Sequence, residues 1–191
     1  MRQITDERSF LILNGAHLKK MATAEEIAVT VGLDPELAER TLALAVANGW
    51  VMEMQGKFLL LPDGTAAVQE YYRSAYQEVR ADPRLVAWYD RFERLNEQFI
   101  KHVTDWQAVD GDDGVQAKLL KTVERLTRSL DDIIPSIPRY EGYARRFAHS
   151  VSRVDLGDKD FVCKPTIDSI HNIWFEFHED ILSVLGRPRD V

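Results

Sequence analysis

Apolar residues recur along this chain in rhythms that change near Pro62. In "TAEEIAVTVGL", Ala24, Ile27, Ala28 and Val31 fall at three- and four-residue steps, the spacing of one helix face. Thr23 stands ahead of them as an N-cap, Glu26 three residues on as a capping-box partner, and Gly32 ends the run. "DPELAERTLALAVANGW" follows at once: Asp34 caps, Pro35 suits the first helical position, Leu37, Leu42, Leu44 and Val46 carry apolar surface, and Asn48-Gly49 stops it. Upstream, "TDERSFLILNGAHLKK" predicts a helix with Thr5 as cap and Asp6 and Glu7 in the first turn. Downstream, the apolar runs 50–54 and 57–61 flank Gln55-Gly56, which reads as a β-hairpin with a two-residue turn.

Beyond Pro62 only the helical period continues. A helix capped by Asp63 is expected to run to about Arg80, with Val68, Tyr71, Tyr72 and Ala75 on its apolar side. Asp82-Pro83 restarts a long one, in which Leu85, Trp88, Phe92, Leu95, Phe99 and Val103 keep the three-four spacing. After a turn at "DGDDG", Leu119, Val123, Leu126, Leu130 and Ile133 repeat it until Pro135 and Pro138 interrupt. "RYEGYARRFAHSVSRV" resumes the helix, "DLGDKDFVCKP" reads as a linker, and "DSIHNIWFEFHEDIL" closes the chain. The fold class is therefore mainly α: three helices and a short hairpin over residues 1–65, then an all-α bundle of about five helices over 66–191.

The stretch "ATAEEIAVTVGLDPELAERTLALAVANGWV" resembles the helix-turn-helix core of winged-helix regulators, and "GKFLLLPDGTAAV" resembles the wing and following helix of proteins of the MarR type. The similarity spans roughly residues 8–70. It implies a DNA-binding regulator working as a homodimer, with the helix over 35–48 as its recognition helix. The winged helix also serves as a protein–protein module, and that alternative stays open.

Charge bears directly on this choice. The 191 residues carry a net charge of −7, and residues 1–70 hold six basic against ten acidic side chains, a net of −4. Phosphate neutralisation by Lys and Arg supplies most non-specific DNA affinity, so an acidic reader is at a disadvantage. Arg40, Thr41 and Lys57 are the candidate DNA contacts, but Glu36 and Glu39 share the recognition helix with Arg40.

Composition is otherwise ordinary, at 45% hydrophobic and 29% charged. A single cysteine, Cys163, admits no internal disulfide and fits a reducing, cytoplasmic setting; no apolar stretch approaches the roughly 18 residues of a membrane span. No phosphate loop, nucleophile elbow, CxxC pair or HExxH is present, so no catalytic residue is assigned and no cofactor or metal is expected. No Glu-x-x-His pair supports a di-iron bundle, and the spacing of Asp168 and His171 departs from the metal-binding effector domains of the GntR/FCD type.

What remains is a concentration of histidine and tryptophan. His171 and His178 are seven residues apart, so both project from one helix face, with Trp174 and Phe175 between them. Glu176 and Asp180 are expected to face water. If the helix carrying His102 and Trp106 packs alongside, His102, Trp106, His171, Trp174 and His178 line one pocket for a small-molecule effector; the alternative is plain core with capping histidines. The leading expectation is a ligand-responsive transcriptional regulator. Its rivals are an accessory protein whose winged helix docks on a partner protein, and an enzyme using the histidine pocket for acid–base work.

Overall fold

The computed structural model describes residues 3–109 and 112–188. It is mainly helical, with three N-terminal helices, one antiparallel hairpin, and helices thereafter. The chain divides into two compact units, one built from residues up to Arg80 together with those from Glu179 onward, the other from Ala81–His178.

In the first unit, α1 (Glu7–Lys19) is capped by Asp6, not Thr5: the Asp6 carboxylate accepts the Ser9 N–H at 2.9 Å. An ionised acceptor at this position also meets the helix dipole, which a threonine hydroxyl does weakly. That backbone hydrogen bond holds Asp6 below its ordinary pKa. Helix α2 (Ala24–Val31) carries the full capping box, with Thr23 and Glu26 each accepting the other's backbone N–H, and Gly32 closes it in the left-handed region. Asp34 caps α3 (Pro35–Ala47) through the Leu37 N–H at 3.0 Å. The buried face of α3 is Ala38, Leu42 and Ala45, at steps of four and three. Leu44 and Val46 fall off that face and stand exposed, contrary to the apolar stripe read from sequence.

Strands β1 (Val51–Met54) and β2 (Lys57–Leu60) pair in the register Val51–Leu60, Met52–Leu59, Glu53–Phe58 and Met54–Lys57. Gln55 and Gly56 both take positive φ, 53° and 75°, the two-residue turn whose twist matches the strands. On the other side of β2, Ala22 exchanges two backbone hydrogen bonds with Phe58, which ties the hairpin to the α1–α2 connection.

The next helix does not start at an Asp63 cap. Helix α4 (Pro62–Ala75) begins with Pro62 in its first turn behind Leu61, which makes no side-chain cap. Its early glycine is a packing requirement: a Cβ on Gly64 would sit 2.3 Å from the Trp50 carbonyl oxygen. Nor is it one helix to Arg80. The backbone leaves helical geometry at Tyr76, and α5 (Gln77–Arg80) is a separate turn. Arg80 secures that break, donating to the carbonyls of Tyr72 at 3.3 Å and Val184 at 2.8 Å. Phe10 anchors the unit's core, stacked on Tyr71 at 4.1 Å and edge-on to Tyr72 at 5.0 Å.

In the second unit, α6 (Pro83–Ala108) buries all six apolar positions expected of it. The expected turn at "DGDDG" begins on Asp110 and Gly111, which lie outside the described residues; Asp112 caps α7 (Asp113–Leu130). Helix α7 stops short of Ile133, because a proline at 135 clashes with a helical carbonyl four residues back and disfavours helix at its predecessor. Ile133 and Ile137 are buried through turns instead. Helix α8 (Tyr140–Asp155) follows, and the expected linker contains a helical turn, α9 (Asp160–Cys163).

Helix α10 (Ile170–Leu185) differs from its sequence reading on two points. Glu176 and Asp180, expected in solvent, are 4% and 1% exposed, while Phe175, expected inside, is 38% exposed. The buried positions Ile170, Ile173, Trp174, Phe177 and Ile181 set the inward face, and Phe175 lies off it. Among the described residues, no helix is long and apolar enough to cross a membrane.

Candidate functional site

The surface of α3 was expected to face DNA. Arg40 lies one turn after Glu36, whose carboxylate it approaches at 3.4 Å, so its charge is partly answered on its own helix. Thr41 is half-buried and Lys57 is exposed at the start of β2. Leu44, one turn on from Arg40 and Thr41, is 68% exposed, and Val29 on α2 is 70% exposed. Met52 and Met54 are exposed too, and alternation along β1 puts them on one hairpin face. The cross-strand register adds their partners Leu59 and Lys57 to that face. An unanswered basic surface, the usual footprint for phosphate, is not what these residues form.

The five residues proposed for a pocket fall into different settings. Trp174 is buried, lies parallel to Phe99 with ring centroids 3.9 Å apart, and donates its indole N–H to Asn96 Oδ1 at 2.9 Å. His178 stands edge-on to Phe92 at 5.3 Å, with Nε2 3.4 Å from Tyr89 Oη and 3.3 Å from Glu93 Oε1. The Glu93 oxygen is within ion-pair reach yet unaligned for a hydrogen bond. Phe92 also stacks on Trp174 at 5.8 Å, so Trp174 and His178 share one aromatic cluster. His171 is half-buried, and burial holds its imidazole below the ordinary histidine pKa.

His102 and Trp106 sit one turn apart on α6. His102 Nδ1 and Trp106 Nε1 are both shielded from water and without a hydrogen-bond partner. Trp106 lines a cleft with Gln107, Lys159, Asp160, Cys163 and Lys164; the other four residues of the proposed pocket are not part of its lining. Cys163 is a poor nucleophile there, because burial pushes its thiol up to about 11. Lys164, next in sequence, is held by Asp160 at 2.5 Å.

Sequence reasoning missed a tightly bound polar group of the second unit. Arg146 on α8 is almost fully buried and donates to both Asp168 oxygens, at 2.8 and 2.6 Å, and to Glu176 Oε2 at 2.5 Å. Burial works against its charge, but the Asp168 hydrogen bonds and the Glu176 and Asp168 carboxylates outweigh that and raise its pKa. Ser150 adds a 2.7 Å hydrogen bond to the Asp168 carbonyl. The available signal was Arg146 itself, set between Tyr143, Phe147 and Ser150 on the face that α8 buries. Among the described residues no group of three or more His, Cys, Asp or Glu side chains could hold a metal ion. Compared with protein-family models, curated proteins and solved structures, the chain matches none.

Proposed function

We propose that this protein is an accessory factor whose winged-helix-like unit docks on a partner protein. The observation that carries this reading is the exposure of Val29 on α2, Leu44 on α3 and Met52 and Met54 on the hairpin, on elements that also expose Glu25, Glu36, Glu39 and Glu53. Exposed apolar side chains in such number mark association surfaces, and methionines adapt to the shape they meet. The acidic surround selects the occupant: a protein surface with apolar side chains at its centre and lysine or arginine at its rim. Duplex DNA offers the wrong charge to such a surface.

The second reading, a transcriptional regulator of MarR-like organisation acting as a homodimer, is favoured by the order of three helices and a hairpin. In that reading Arg40, Thr41 and Lys57 contact DNA. An electrophoretic shift with DNA from upstream of its own gene, at two salt concentrations, separates the two. The docking reading requires no complex even at low salt. A salt-sensitive complex lost on Arg40→Ala would establish the regulator instead.

A further inference from the structure

The cleft at the end of α6 is independent of the docking surface and lies wholly within the second unit. Its volume is about 310 Å³, at the lower end of small-molecule sites. Trp106 and Cys163 are the apolar members of its lining, and burial keeps the Cys163 thiol protonated. Its charged lining is Lys159, Lys164 and Asp160, and with Asp113 beside Lys159 each ammonium group meets a carboxylate. Both lysines are held by half- or fully exposed carboxylates, Lys159 by Asp113 at 2.9 Å and Lys164 by Asp160 at 2.5 Å. Pairs of that kind exchange for another anion with little loss.

We propose that this cleft binds a small aromatic carboxylate, its ring against the Trp106 indole and its carboxylate between Lys159 and Lys164. The ring and the charge are both required: a bare anion lacks the apolar contact, and a neutral ring leaves the lysines on their own carboxylates. No covalent step is involved.

Benzoate, benzamide and inorganic phosphate, each titrated against the full chain and read by thermal unfolding and tryptophan fluorescence, test this. Benzoate should give saturable stabilisation and a fluorescence change, with benzamide and phosphate each at least about tenfold weaker. Lys159→Gln with Lys164→Gln should weaken benzoate by about tenfold or more while moving the unliganded Tm by no more than about 2 °C, since both side chains are half-exposed. Trp106→Phe should remove most of the fluorescence change and also weaken benzoate. The proposal is overturned if benzoate produces no saturable shift, or if benzamide or phosphate matches it. It is equally overturned if the double variant binds benzoate as tightly as the parent chain.

Discussion

Arg146 and Glu176, thirty residues apart in sequence, meet at 2.5 Å with side chains 10% and 5% exposed, and Asp168 completes the group. This ion pair fixes the first half of α10 to α8 within the second unit. Removing one partner of a buried pair leaves the other charged and dry, at a cost of about 3–5 kcal/mol. We expect Arg146→Met to destabilise by that order in urea unfolding, and Glu176→Gln by less, because Asp168 still answers the guanidinium. Arg146→Met combined with Glu176→Leu should be milder than Arg146→Met alone. A double variant as unstable as the sum of its parts would show that the two do not act as a pair.

Trp174 and Asn96 give a neutral counterpart. Asn96→Leu would leave the indole N–H buried without its acceptor, and a loss of about 1–3 kcal/mol is expected. Trp174→Phe in the Asn96→Leu background should cost less than in the parent, since the hydrogen bond is already gone. Equal losses in both backgrounds would mean that stacking on Phe99 accounts for Trp174.

Two histidines make stability depend on pH. Burial lowers the pKa of His17 and of His171, with Lys20 adding to the effect at His17 and Glu179 and Asp180 opposing it. A depressed histidine is neutral in the folded state while the unfolded chain takes up a proton near the ordinary value of 6.5. Its contribution is therefore full above about pH 6.5 and is lost as pH falls through the folded value. Tm measured from pH 8 down to pH 5 should fall in the acid half, and His17→Gln with His171→Gln should flatten that fall. An unchanged slope would assign it to other groups.

Gly64 and Gly142 should respond in opposite directions to alanine. At Gly64 the added Cβ meets the Trp50 carbonyl at 2.3 Å, so the start of α4 must shift, at about 1–3 kcal/mol. At Gly142, inside α8, the nearest group is an arginine nitrogen at 4.0 Å, and alanine should stabilise by about 0.4–1 kcal/mol. Paired urea denaturations with equal outcomes would contradict the close approach at Gly64.

The legible parts of this fold were those whose partners lie within a few residues. The Thr23–Glu26 capping box, the Asp34–Pro35 start and the Gln55-Gly56 turn are local chemistry, and the six apolar positions of α6 follow from one helical period. The burial of Glu176 was not legible, because what makes it tolerable is an arginine on another helix. The exposure of Leu44 was missed by counting apolar residues instead of following the steps from Ala38 to Leu42 to Ala45. Of the five residues expected to line one pocket, only Trp106 lines the cleft at the end of α6. The density of histidine and tryptophan singled out Trp106, but α9, which completes its cleft, is a single turn in a polar stretch that carries no periodic signal.

The docking reading rests on what touches α3, and that contact can be trapped. A photo-crosslinking amino acid placed at Leu44 and activated in cells should yield a discrete adduct to protein. That adduct should be lost when Met52→Asp and Met54→Asp are added and retained with Arg40→Ala. Adducts to DNA that disappear with Arg40→Ala would contradict the account and install the regulator in its place.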